Sequence, residues 1–307
     1  MSDRRRFLKI CSGLGLSLAL APRTLFAADD GIQQRVIPKS GERIPAIGMG
    51  SWLTFAVGDD EQARQVRVEV LQHFFAAGGR FIDSSPMYGT SEEVIGYCLQ
   101  SLHEQGQVFS ATKVWTRGWE SGIRQMRRSR ALWDVARFDL MQIHNMLDWQ
   151  THLATLKSWK QEGKIRYIGI TTSHGRRHAE LERVLTKEDA FDFVQFTYNI
   201  VDREVEQRLL SLAAERKLGV IINRPFQGGE LFDRVAGKPL PEFARDIDCR
   251  NWAQYFLKFI ISHPAVTCAI PATSQVAHMQ ENMGSLRGRL PDNAQRQKML
   301  AYYQSIT

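Results

Sequence analysis

The stretch GGRFIDSSPMYG, residues 78–89, decides the fold of this chain. Its apolar part, residues 80–83, predicts a short strand that runs into a turn-rich loop. Residues 61–77 before it place apolar side chains at helical spacing, and the two glycines that begin the stretch are typical of a helix end. The next helix begins after the loop, with Thr90 or Ser91 as its predicted N-cap. This succession of helix, strand and helix is the unit from which we build the fold.

The same alternation repeats along the chain. Strands are predicted at residues 47–52, 80–83, 108–114, 138–144, 165–171, 191–198, 219–223 and 266–271. Most strand ends are separated by about 30 residues, the length of one βαβ unit. The longer interval between residues 223 and 271 is interpreted as an inserted loop. Eight such units predict an α/β fold, a single-domain (β/α)8 TIM barrel over residues 29–307.

Two further features bear on this prediction. Residues 33–45 carry two prolines and a Ser-Gly pair between short apolar stretches, which predicts a β-hairpin ahead of the barrel. The competing fold is a doubly wound open sheet. We favour the barrel because no G-x-G-x-x-G motif follows the first strand.

Composition excludes several classes of protein. A chain of 307 residues with 43% hydrophobic and 24% charged residues can bury a large core. The formal net charge is +7, but residues 1–28 hold five basic residues against one acid, so the rest of the chain carries only +3. Its basic residues are interspersed with acids, which argues against nucleic-acid binding. Beyond Cys11, the three remaining cysteines have no CxxC spacing, and we predict neither a disulfide framework nor a metal site.

Residues 1–28 have the layout of an export signal: a basic cluster, an apolar run and a pair of alanines. The run is short for a membrane span, and we expect no stable span after processing. Residues 3–9, DRRRFLK, resemble the twin-arginine (Tat) signal, which exports folded proteins. The resemblance implies the Tat export machinery as a partner and a periplasmic or otherwise exported location. The cleavage site is left open, because Leu25 or Phe26 stands where a small residue is usual.

Four ionisable side chains follow three neighbouring predicted strands. Asp83 ends the second strand and Tyr88 lies in the loop after it, while Lys113 and His144 stand at the ends of the third and fourth. Each has an ordinary alternative, as a turn cap, a loop anchor, a surface cation or a semi-buried histidine. In a barrel, however, the carboxyl ends of the strands form one face, where catalytic residues gather. We therefore predict that these four side chains share one site.

Five segments resemble the aldo/keto reductase family, in its order and at its spacing, over essentially the whole chain after the N-terminal signal. They are residues 41–50 (GERIPAIGMG), 81–89 (FIDSSPMYG), 111–115 (ATKVW), 142–145 (QIHN) and 270–274 (IPATS). The resemblance implies a (β/α)8 barrel that binds an extended NADP(H) and interconverts carbonyls and alcohols. It also implies a catalytic tetrad of Asp83, Tyr88, Lys113 and His144.

The chemistry explains why the family needs these residue types. Carbonyl reduction places negative charge on oxygen, so the site needs a proton donor and a cationic environment. Tyr88 is the expected general acid, and we expect Lys113 to lower the pKa of its phenol. Asp83 would keep Lys113 charged and oriented, and His144 would hydrogen-bond the carbonyl oxygen. Met87 and Trp115, and Trp52 on the first loop, are candidates for the substrate wall.

The resemblance also implies cofactor contacts, but several positions depart from the family pattern. Thr171 and Thr172 stand where Ser-Asn is commoner, and Arg224 lies in NRPF where Tyr-Ser-Pro-Leu is usual. Ala272 and His278 replace the Lys and Arg of many NADP(H)-dependent members, so NADP(H) is expected and NAD(H) stays open. The full set of expected cofactor residues is Ser51, Trp52, Asp83, Thr171, Thr172, Gln195, Arg224, Phe226, Thr273, Ser274, His278, Glu281 and Asn282.

Export poses a further question, because the space outside the cytoplasmic membrane has no obvious dinucleotide pool. A Tat substrate would fold around its cofactor before leaving, which predicts a tightly retained nucleotide. The alternative to an enzyme is a non-catalytic cofactor-binding barrel that acts as a redox sensor or a partner-binding module. The complete tetrad favours the enzyme. The substrate and the oligomeric state are left open.

Overall fold

A two-stranded hairpin precedes the barrel in the computed structural model, which describes residues 31–307. Strands β1 (Gln34–Val36) and β2 (Arg43–Pro45) pair antiparallel. In the turn between them, Lys39 donates hydrogen bonds to the backbone oxygens of Asp189 and Phe191, just before a barrel strand begins. The predicted hairpin is confirmed, and it covers the N-terminal end of the barrel. The predicted signal at residues 1–28 lies outside the described residues.

Eight parallel strands follow, each hydrogen-bonded to the next in sequence order. They are β3 (Met49–Gly50), β4 (Phe81–Asp83), β5 (Phe109–Val114), β6 (Phe138–Ile143), β7 (Ile165–Thr171), β8 (Phe193–Thr197), β9 (Gly219–Asn223) and β10 (Cys268–Ala269). Parallel bridges join Ile47 to Ala269 and Gly50 to Ala272, next to the first and last of these strands. Because an open sheet has no such pairing, the (β/α)8 barrel is confirmed and the doubly wound alternative is wrong.

Ten helices surround the strands in the described chain. They are α1 (Glu61–Ala76), α2 (Ser91–Leu102), α3 (Trp119–Trp133), α4 (Trp149–Gln161), α5 (His178–Lys187), α6 (Leu209–Glu215), α7 (Glu230–Arg234), α8 (Trp252–Ile261), α9 (Val276–Gly284) and α10 (Asn293–Ile306). The Asp60 carboxylate accepts the backbone N–H of Ala63 and so begins α1. Thr90 is the N-cap residue of α2, as predicted, but its hydroxyl accepts the N–H of Gly58 and makes no cap bond within the helix. Within residues 31–307, no helix is long and apolar enough to cross a membrane.

The interval between β9 and β10 is not a simple loop, because it contains α7 and α8. Every residue from 253 to 261 of α8 is buried. Its two polar residues, Gln254 and Lys258, lie one turn apart and are buried as well, and Lys258 donates to the backbone oxygens of Ile247 and Arg289. The helix was not predicted because the glycines and prolines at residues 228–241 favoured a loop for the whole interval. Helix α10 was also missed, although Asp292 and Gln295 form a reciprocal capping box at its start.

The barrel interior is layered. Aromatic rings from four strands fill its N-terminal half. The ring centroid of Phe109 lies 5.1 Å from that of Phe81, 5.9 Å from that of Tyr167 and 6.3 Å from that of Phe193. The Tyr167 hydroxyl donates to a Glu42 carboxylate oxygen of the hairpin at 2.6 Å. Side chains two residues further along a strand point the same way, so the next inward layer lies toward the carboxyl ends of the strands. That layer is polar, and it carries the site.

Candidate active site

A buried ion pair forms the floor of the site. The Lys113 ammonium is fully buried and contacts the Asp83 carboxylate, and it donates to the backbone oxygen of Ser84 at 2.7 Å. Burial lowers the pKa of Lys113, but the charge of Asp83 and the neighbouring Tyr88 raise it above its usual value overall. Lys113 is therefore a permanent cation at neutral pH.

Two amides complete the coordination of the Asp83 carboxylate. Gln142 Nε2 donates to Asp83 Oδ1 at 2.7 Å, and Gln195 Nε2 donates to the same oxygen at 3.1 Å. A β-carbon on Gly169 would lie 2.7 Å from Gln142 Cγ, so the absence of a side chain there gives Gln142 its space. With three donors around it, the carboxylate is held in one orientation.

Tyr88 lies next to this pair. Lys113 Nζ is 5.1 Å from the centre of the Tyr88 ring, and the ring meets that of His144 edge-on at 5.8 Å. Burial raises the pKa of Tyr88, Lys113 lowers it, and the outcome is a value above the usual 10. The expected direction of the Lys113 effect holds, but desolvation of the half-buried Tyr88 outweighs it. The phenol therefore carries its proton at neutral pH, as a general acid must.

His144 is neutral. Burial, assisted by the charge of Lys113, lowers its pKa to about 2. Its Nδ1 lies 2.9 Å from Ser85 Oγ, and its ring is 6.4 Å from that of Trp115. An uncharged imidazole has one donor and one acceptor nitrogen. His144 can therefore offer a hydrogen bond without competing with Tyr88 as a proton source.

The lowered pKa of His144 predicts a specific pH dependence of stability. An unfolded histidine titrates near pH 6.5, so below that pH the unfolded chain binds a proton that the folded chain refuses. We expect the free energy of unfolding to fall with a slope of up to about 1.4 kcal/mol per pH unit from this group as the pH drops from about 6.5 toward 2. In urea unfolding between pH 7.5 and 4.5, the free energy of unfolding of His144→Asn should fall less steeply with pH than that of the wild type. The difference in slope should correspond to one bound proton. His103→Asn, at an exposed histidine, is the control, and equal slopes for His144→Asn and the wild type would contradict the assignment.

Several predicted cofactor residues lie at the carboxyl ends of the strands, close to this cluster. Ser51 is buried, with its Oγ 2.8 Å from Ser84 Oγ and 3.1 Å from the backbone oxygen of Asp83. Thr171 accepts the backbone N–H of Asn145, whereas the buried Thr172 hydroxyl has no hydrogen-bond partner among residues 31–307. Gln195 uses its amide nitrogen within the protein, donating to Asp83 and to Gln142 Oε1.

The remaining predicted cofactor residues differ in accessibility. Phe226 packs in the core, 4.8 Å from Phe232 between ring centroids, while Arg224 beside it is half-buried. Thr273 accepts the backbone N–H of Gln275 at the start of α9. Of the others, Asn282 is buried, Ser274 and Glu281 are half-buried, and His278 is exposed. Their contacts with a nucleotide stay predictions.

Large apolar side chains project from the loops around the site. Trp52, Met87 and Trp115 are 41%, 38% and 40% exposed, on the loops after β3, β4 and β5. Trp119, at the start of α3, is 58% exposed and was not singled out from the sequence. Exposed aromatic side chains beside a polar cluster are typical of a ligand site.

Sequence reasoning missed Ser85 and Gln142 as members of the cluster. Gln142 had a usable signal, since it lies two residues before His144 on a predicted strand and so shares its face. Ser85 had none, because a serine in a turn is ordinary.

The fold and the site together define a class: a (β/α)8 barrel with a buried lysine–aspartate pair, a protonated tyrosine and a neutral histidine at the carboxyl ends of its strands. Residues 46–297 match the aldo/keto reductase family, and the chain belongs to it. It is 26% identical over 236 residues to an NADH-specific methylglyoxal reductase of Escherichia coli, covering 65% of this chain and 69% of that protein. It is 25% identical to the aldo-keto reductase YhdN of Bacillus subtilis, covering 61% of this chain and 60% of the relative.

A solved structure agrees with the fold. The aldo/keto reductase from Klebsiella pneumoniae in complex with NADP and acetate superimposes with a TM-score of 0.74 at 24% identity, covering 89% of this chain and 96% of that one. The likeness supports the barrel architecture independently of the strand pairing.

Proposed function

We propose that this protein is an NAD(P)(H)-dependent oxidoreductase that reduces an aldehyde or ketone to an alcohol, or catalyses the reverse, with Tyr88 as general acid. The observation that carries the proposal is the half-buried, protonated phenol of Tyr88 packed against the buried Lys113 ammonium and the neutral His144 imidazole. A proton donor and a cationic environment are what a carbonyl oxygen needs as it gains charge.

The residues present fit a nicotinamide dinucleotide. The buried Thr172 hydroxyl, unpartnered within residues 31–307, offers a hydrogen bond at the rim where the family resemblance places the cofactor. The nicotinamide, when bound, supplies or accepts the hydride. The Klebsiella neighbour was solved with NADP and the Escherichia coli relative is NADH-specific, which supports NADP(H) here with NAD(H) as the second candidate.

The protein's own groups then have distinct tasks. In reduction, Tyr88 gives its proton to the carbonyl oxygen, and Lys113 stabilises the phenolate that remains. Asp83 keeps Lys113 in place, and His144 donates a hydrogen bond to the same oxygen. Trp52, Met87 and Trp115 exclude water from the reacting atoms and form the substrate wall.

Location and cofactor retention are part of the proposal. The Tat-like segment at residues 1–28 supports export of the folded protein to the periplasm, with a nucleotide retained from the cytoplasm.

A combined binding and turnover measurement tests this function. Purified protein should quench or shift the fluorescence of NADPH or NADH on binding, and should then oxidise the reduced nucleotide in the presence of small aldehydes. Protein purified from the periplasm should carry nucleotide, detectable by mass spectrometry. Binding without turnover of any aldehyde, ketone or alcohol would support the sensor alternative instead. Failure to bind either nucleotide would contradict both.

A further inference from the structure

Ser85 is a buried polar residue that the proposed chemistry leaves unused. It lies between Asp83 and Tyr88, and its side chain is fully buried. Its hydroxyl oxygen is 2.9 Å from His144 Nδ1, and the backbone N–H of Met87 donates to the same oxygen at 3.4 Å. A buried hydroxyl costs free energy unless it is hydrogen-bonded. The contact with His144 is therefore a stabilising hydrogen bond.

The direction of this hydrogen bond follows from its neighbours. The N–H of Met87 can only donate, so it occupies a lone pair of Ser85 Oγ and leaves the hydroxyl hydrogen to be donated. The acceptor in contact is His144 Nδ1. If Nδ1 carried the imidazole proton, Ser85 Oγ would accept two hydrogen bonds and its own hydrogen would find no acceptor among its contacts within residues 31–307. The fully bonded arrangement runs from Met87 N–H to Ser85 O–H to His144 Nδ1.

This arrangement determines the tautomer of the ring. Burial and Lys113 keep the imidazole neutral, so it holds a single proton, and an acceptor at Nδ1 places that proton on Nε2. The opposite tautomer would present a lone pair at Nε2. A carbonyl oxygen also presents lone pairs, so the Nδ1–H tautomer would repel it. The Nε2–H tautomer would donate a hydrogen bond to it.

We infer that Ser85 is a positioning residue that holds His144 as its Nε2–H tautomer, so that the imidazole donates a hydrogen bond to the oxygen of the carbonyl or alcohol substrate. The inference rests on the proposed function for the role of that hydrogen bond. The tautomer itself does not depend on it. Ser85 acts through His144 and does not contact the substrate.

The tautomer is measurable without any turnover. In full-length protein labelled with ¹⁵N-histidine, the two ring nitrogens of His144 have different shifts when one is protonated and the other is an acceptor, and His144→Asn identifies its signals. We expect a protonated Nε2 in the wild type and a mixture of tautomers in Ser85→Ala. A protonated Nδ1 in the wild type overturns the inference, as does a single unchanged tautomer in Ser85→Ala. The wild-type spectrum decides even if the variant fails to fold.

Kinetics test the consequence. For Ser85→Ala we expect kcat for aldehyde reduction to fall about tenfold, the effect of losing one hydrogen bond, with the nucleotide dissociation constant within about twofold of the wild type. Ser85→Thr keeps the hydroxyl and should keep kcat within about threefold. Ser110→Ala removes an equally buried serine hydroxyl near the opposite end of the barrel and controls for the loss of a core hydroxyl.

Two kinetic outcomes count against the inference: a wild-type kcat in Ser85→Ala, or an equal loss in Ser85→Thr and Ser85→Ala. Failure of the proposed function is distinguishable from both. It would appear as an absence of turnover in the wild type while the spectrum of His144 still reports the tautomer.

Discussion

Tyr88→Phe is expected to lower kcat for aldehyde reduction by about 10²–10⁴-fold, the range by which a positioned general acid accelerates proton transfer. The substitution removes the only phenolic proton beside Lys113 and His144 in the described structure. It keeps the ring that fills the space, so nucleotide binding and the unfolding transition should change little. Steady-state rates with a panel of small aldehydes, at saturating NADPH or NADH, give the measurement.

Tyr167→Phe is the matched control for this experiment. Its hydroxyl donates a short hydrogen bond to Glu42 near the N-terminal end of the barrel, far from the site. We expect this variant to lose about 1–2 kcal/mol of stability and to keep the wild-type kcat. Equal residual rates in Tyr88→Phe and the wild type would remove Tyr88 from the reaction.

Breaking the pair of Lys113 and Asp83 should have the largest effect on stability. Lys113→Met leaves the Asp83 carboxylate buried with only the two glutamine amides, and we expect a loss of about 3–5 kcal/mol in the free energy of unfolding. Asp83→Asn leaves a buried ammonium without its counter-charge and should cost a similar amount. Both variants should lack activity, because the cation beside Tyr88 is missing or displaced.

The double variant separates charge from packing. Asp83→Asn with Lys113→Met removes both charges, so its loss should be smaller than the sum of the single losses by about 1–3 kcal/mol, while activity stays absent. Lys157→Met breaks an exposed pair with Glu188 and should change stability by less than about 1 kcal/mol. Urea denaturation of the wild type and all four variants supplies the values. Additive losses in the double variant would mean that the pair is not coupled.

The strand ends could be predicted because two local signals coincide there. In the stretch from β4 into the following loop, an apolar run ends at Asp83 and a turn-rich segment begins, and both can be read residue by residue. The same holds for Lys113 and His144 at the ends of β5 and β6. Helix α8 was not predicted, because the glycines and prolines before it, at residues 228–241, favoured a loop for the whole interval between β9 and β10.

The pKa of Tyr88 shows a second limit. From the sequence, Lys113 was expected to lower it, and in the structure Lys113 does act in that direction. The desolvation of the half-buried Tyr88 acts more strongly in the opposite direction. Burial is a property of the assembled structure. The size of its effect on the pKa of Tyr88 could therefore not be predicted from which residues are neighbours in sequence.

The amino-acid sequence by itself determined the order of the eight strands and of helices α1 to α6, the barrel and the four side chains at its carboxyl end, because these depend on periodicities within about 30 residues. Only the tertiary structure decided what surrounds those side chains. Gln142 and Gln195 reach Asp83 from 59 and 112 residues away, and Ser85 reaches His144 across 59 residues. Such contacts form when strands close into a barrel, and the protonation states of Tyr88, Lys113 and His144 follow from that closure.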